Sequence, residues 1–162
     1  MATPINEQII AVIKTRLQAI TTGNAYQQTV EAVDRPLRHA AIIPRNYTVT
    51  VTNGGEEKND DLSHDGNPPA IAWNMTVNID ACLSASEADT TAVDTRRNTL
   101  AADIEKAVTN ATSWWQFGSL AINAEFRSAE PFDADDGSDN WIRKPLIVTY
   151  RVSETNPYTV RA

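Results

Sequence analysis

The chain has 162 residues, 41% of them apolar and 22% charged, with a formal net charge of −7. This suits one globular domain burying roughly 70% of its unfolded surface and excludes wholesale disorder. The acidity argues against sequence-independent binding to nucleic-acid phosphates. No apolar run approaches the ~20 residues of a membrane-spanning helix. Cys82 is the sole cysteine, which excludes an internal disulfide, and Met1-Ala2-Thr3-Pro4 lacks the basic start and apolar core of a secretory leader, so a reducing interior is expected.

The charge is unevenly placed. Glu56, Glu57, Asp60, Asp61 and Asp65 accompany Lys58 in one stretch, while Glu130, Asp133, Asp135, Asp136 and Asp139 fill another. Together these stretches carry −9 and leave +2 for the rest of the chain.

In chain order, Thr3-Pro4 offers an N-cap and a proline at the first helical position, where a missing N–H costs nothing. Ile5, Ile9, Ile13, Leu17 and Ile20 follow at helical spacing, and Gly23 stands where a left-handed cap belongs, so a helix is predicted over about 4–21. Tyr26 to Val33 is a short β-compatible run, and Pro36 and Pro44 bracket a segment unsuited to a regular central strand. Tyr47, Val49 and Val51 alternate with threonines, predicting a strand over 46–52. Asn53-Gly54-Gly55 is expected to end it, leaving a long acidic loop of about 53–69.

The strongest signal comes next. Ile71, Trp73, Met75, Val77 and Ile79 alternate with small or polar residues, which marks a strand with one apolar face. Val93, Leu100, Ile104, Ala107 and Val108 then lie on one helical stripe, with Arg97, Asp103, Glu105 and Lys106 away from it. Leu120 to Phe126 alternates again, as does Leu146 to Val152. The second acidic loop, with Pro131 and Gly137, separates them, and Asn156-Pro157 opens a tail over about 156–162. No repeat or linker is visible. The expected fold is a single α+β domain over 1–162: a mostly antiparallel sheet of about five strands with two helices packed on one face. The other face carries Thr, Asn and Arg, as a wetted or contacting surface would.

Chemistry-bearing motifs are sparse. Asp61-Leu62-Ser63-His64-Asp65-Gly66 opens like a calcium loop, but its twelfth position is Ala72 rather than a bidentate acid. A small calcium- or ligand-binding module is the alternative of a different class. His39 and His64 are the only histidines; there is no zinc spacing, nucleophile elbow or phosphate-cradling loop. Carboxylates in solvated loops would stay ordinary acids, so a hydrolase is not expected, and no catalytic residue, cofactor or metal is assigned. Trp73 reads as core. In the pair Trp114-Trp115 only one ring can readily face inward. Trp115, Trp141, Arg143 and Arg151 are therefore the candidates for contact with a partner chain.

The order of these pieces resembles the tail-terminator proteins of long-tailed bacteriophages and the related small head–tail joining proteins. The features that carry the resemblance are the Ile-rich helix from Ile5 to Leu17, the strand with Val30-Glu31-Ala32-Val33, and a strand with an acidic insertion. They continue with Ala72-Trp73-Asn74-Met75-Thr76-Val77-Asn78-Ile79, the helix ending Ile104-Glu105-Lys106-Ala107-Val108, and Val148-Thr149-Tyr150-Arg151-Val152. It is a match of pattern across most of the chain, without a diagnostic motif. It implies a structural virion protein, usually a ring of six copies, at the tail–neck junction and assembled in the host cytoplasm. Its partners would be the tail tube protein and a head-side neck or connector protein, with DNA passing through without specific binding. Glu56, Glu57, Asp60, Asp61, Asp133, Asp135 and Asp136 are expected to line the channel or its loops. A head-completion or tube-related neck protein is the neighbouring alternative.

Overall fold

Alternating large apolar side chains dictate the centre of the sheet. A computed structural model describes residues 2–35, 48–66, 69–83, 92–133 and 140–160. In it β3 (Ala70–Leu83) and β6 (Asn140–Ser153), 14 residues each, pair antiparallel without a register break. Met75, Val77, Ile79 and Ala81 of β3 and Ile142, Leu146, Val148 and Tyr150 of β6 share the buried face. Against that face lie α1 (Ile5–Leu17) and α2 (Val93–Thr109), which bring Ile9, Ile13, Leu17, Leu100, Ile104 and Val108 to the same core. The α+β sheet with its two helices is therefore as the sequence predicts.

The remaining strands complete five lanes. β1 (Ala32–Asp34) runs parallel to the start of β2 (Thr48–His64), and β2 pairs antiparallel with β3. The far side of β6 is tiled by three short strands: β5 (Glu130–Asp133), β4 (Asn123–Phe126) and β7 (Asn156–Val160). β6 extends six residues upstream of Leu146, through a proline that would ordinarily stop a central strand. Pro145 O accepts from Arg127 N–H at 2.9 Å, so the proline's nitrogen side faces the junction between β5 and β4, where no donor is required.

Several predicted boundaries move. Of the stretch 53–69 expected as a loop, residues 53–64 are strand: β2 continues to His64. The two glycines bend the strand rather than end it, through a register shift between Asn53 and Gly55. Gly55 takes φ +129°, and a methyl on Gly54 would come within 2.6 Å of Asn78 Nδ2. The tail 156–162 likewise contains β7, folded back on β6 by the turn at Glu154-Thr155, with Pro157 tolerated in an edge strand. The early β-compatible run contributes strand only at Ala32–Asp34, and the strand expected from Leu120 begins at Asn123. α1 starts after Pro4 and ends at Leu17; Ala25, not Gly23, takes the left-handed conformation beyond it, with φ 63°.

Two polar side chains hold the helical layer in place. Asp103, expected on the wet face of α2, is buried because its Oδ2 accepts the N–H groups of both Gln27 and Gln28 at 3.0 Å. Arg16, in the last turn of α1, donates through Nη1 to Val108 O (2.7 Å) and Trp114 O (3.1 Å), and lies 4.9 Å from the centre of the Phe117 ring. A cation thus meets the C-terminal carbonyls of α2, where the helix dipole favours it. Burial pushes the guanidinium pKa down.

Arg16→Ala leaves both carbonyls without this donor and is expected to lower unfolding free energy by about 1–3 kcal/mol, with Arg16→Lys recovering part of the loss in urea titrations. Gly55→Ala forces a side chain into a left-handed conformation and should cost about 1 kcal/mol in the same measurement.

Candidate functional site

The outer sheet face is knitted together rather than open for chemistry. Arg143 and Asp80, opposite each other on β6 and β3, form a two-pronged ion pair, Nε–Oδ1 at 2.7 Å and Nη2–Oδ2 at 2.9 Å. Those hydrogen bonds push the Arg143 pKa up. The pair belongs to a row crossing every lane: Asp34, Thr50, Asp80, Arg143 and Glu130. Further along, Asn74 Oδ1 accepts from Thr149 Oγ1 (2.8 Å) and Asn59 Nδ2 (3.3 Å). Trp141 is a correction to the expected contact residues. It lies inside β6 opposite Cys82 and is only 3% exposed, so its ring is not offered to a partner.

The rim formed by the fifth lane is different in character. Trp114 stacks on Phe126 at 6.0 Å, and Lys144 sits over that ring while pairing with Glu105 at 2.8 Å. A 3-10 turn over Trp114–Gln116 turns the neighbouring Trp115 outward, 39% exposed and edge-on to Trp114. Phe117, Gly118 and Ser119 then take three successive left-handed conformations (φ 45°, 75° and 72°). This tight reversal is closed by the N–H groups of Leu120 and Ala121 on Gln116 O. Beside it lies an open groove of about 360 Å³, lined by Gln116, Ser119, Leu120, Ile122, Arg151 and Val160. Arg151 is fixed there by its Nε on Leu62 O (2.9 Å). Ile122 and Tyr158 join Trp115 as the exposed large apolar side chains of this rim.

Sequence reasoning missed Ile122 and Tyr158. Ile122 shares the parity of Ala124 and Phe126, but it lies one residue before the strand begins, so the inward alternation does not hold it and its side chain is exposed. Tyr158 follows a proline that reads as the start of a tail, whereas it lies in β7.

The opposite margin is the acidic half of β2. Glu56 is exposed on the helix-facing side of β2, where Asn6 Nδ2 (2.7 Å) and Asn53 Nδ2 (3.1 Å) donate to it and the Tyr150 hydroxyl is its neighbour. Glu57, Asp60 and Asp61 are exposed, and Asp60 pairs with Lys58 at 2.7 Å. Asp133 is the last residue of β5, while Asp135 and Asp136 lie outside the described residues. The calcium-loop pattern is not built as a loop. Asp61 to His64 belong to β2, and Ser63 Oγ donates to Asn59 O while accepting from Ala72 N–H. Among the described residues no three acids, histidines or cysteines converge. No family model matches the chain, and no curated protein matches it.

Tyr150 links this margin to stability. Burial first, then the neighbouring Glu56 carboxylate, raises the phenol pKa well above its ordinary value near 10. The folded state thus holds the proton more tightly than the unfolded chain. That contribution is complete below about pH 10 and is lost as pH rises beyond it, by up to ~1.4 kcal/mol per unit. Tyr150→Phe should cost about 1 kcal/mol at neutral pH and flatten this alkaline decline in melts between pH 8 and 12.

Proposed function

We propose that the chain is a structural assembly subunit of a long-tailed phage particle, closing with copies of itself into a ring that caps the tail tube and meets the neck. The observation that carries this is the rim of Trp115, Ile122 and Tyr158, three large apolar side chains exposed along one margin of a single sheet. Exposed aromatic and aliphatic side chains gathered on one rim are what a recurring protein–protein contact uses. The opposite margin is acidic, so the two margins are unlike, and a contact from the apolar rim to another part of a neighbouring copy is heterologous. Repeated around an axis, such a contact closes into a ring. A subunit carrying −7 is also suited to a channel that DNA crosses without adhering. The pattern resemblance to tail terminators supports a position at the tail–neck junction.

Native mass spectrometry of the purified protein, alone and mixed with assembling tail tube protein, tests this reading. A closed oligomer, or one formed at tube ends with shortened tubes, is expected. Trp115→Asp with Ile122→Asp should reduce it to monomers whose melting temperature stays near that of the parent. A monomer at all concentrations that leaves tube length unchanged would overturn the proposal.

A further inference from the structure

We infer that the outer margin of β2 is a docking edge for an extended, lysine- or arginine-bearing strand of a partner protein, which joins the sheet in line with β1. β1 covers β2 only from Thr48 to Thr50. Beyond it, no described strand pairs with that side of β2, although the strand runs on to His64. From Gly55 to Asn59 β2 stays in unbroken register with β3, so a straight, regular row of backbone donors and acceptors faces outward. Asn53 to Lys58 are all exposed, so neither helix covers this row.

The side chains decide which strand can occupy it. Residues 56–65 carry a net −4, and Glu57 and Asp61 have no ion-pair partner among the described residues. Charges on an edge often only prevent aggregation. Here the one cation, Lys58, is held by Asp60 and the net charge is strongly negative, so two copies of this margin repel each other, while a strand with Lys or Arg opposite Glu57, and near Asp61 just past the register shift at Asn59, is attracted. Backbone pairing supplies affinity and the carboxylates select the charge, the division of labour of strand addition. This assignment replaces a channel-lining role for Glu57, Asp60 and Asp61, and it does not depend on ring closure.

The test uses the full-length protein and a nine-residue peptide alternating lysine with valine, against the same peptide N-methylated at alternate residues. The N-methyl groups preserve charge but remove the donors on one side. The unmodified peptide should bind and slow hydrogen exchange at the amides of residues 53–59, with the N-methylated peptide about tenfold weaker or worse. Glu57→Lys with Asp61→Lys, exposed positions that should leave the melting temperature unchanged, should also weaken binding about tenfold or more. Equal binding of the two peptides, no protection at 53–59, or no binding at all would overturn the inference. Because these substitutions avoid Trp115, Ile122 and Tyr158, the oligomeric state measured alongside separates this result from that of the ring.

Discussion

The register between β3 and β6 governs everything else in the molecule. Their continuous ladder sends Met75, Val77, Ile79 and Ala81 to the same side as Ile142, Leu146, Val148 and Tyr150. A slip of one residue would turn each of those side chains to the opposite face. Asp80 and Arg143 resist that slip from the other face, since their two-pronged geometry is available only when the two residues stand opposite each other. The helices depend on the face so created, and Arg16 couples them at the point where α2 ends and the turn carrying Trp114 begins.

With the centre so constrained, variety is confined to the margins, and the two differ in kind. One is a long strand that, among the described residues, no strand covers beyond Thr50, and its exposed side chains are mainly acidic. The other is a composite rim of short strands and a left-handed reversal, showing Trp115, Ile122 and Tyr158. A subunit with unlike margins can contact its neighbours directionally, which a subunit with two equivalent edges does less readily. The proposed assembly role and the proposed strand docking therefore use separate parts of the surface.

Periodicity made the core legible. The alternation from Ile71 to Ile79 and the stripe from Leu100 to Val108 name most of the central packing, and the isoleucines of α1 name the rest. What stayed hidden was set by contacts distant in sequence. Asn53-Gly54-Gly55 reads locally as a stop, yet pairing with β3 carries the strand through it. Pro145 looks like a barrier until the junction between β5 and β4 is known. Asp103 reads as a solvated acid because the two N–H groups that recruit it lie about 75 residues upstream. Of the candidate contact residues, Trp115 and Arg151 do reach the outer rim, whereas Trp141 is drawn inward by neighbours that no local pattern reveals.

The three strands tiling β6 are attached to it separately, and none is needed to align the other two. The intervening turns can lengthen, shorten or change composition while the central ladder keeps its alignment. Such a border is interchangeable in the way antigen-binding loops are: related chains could retain an identical scaffold while each evolves its own fit to a different neighbour.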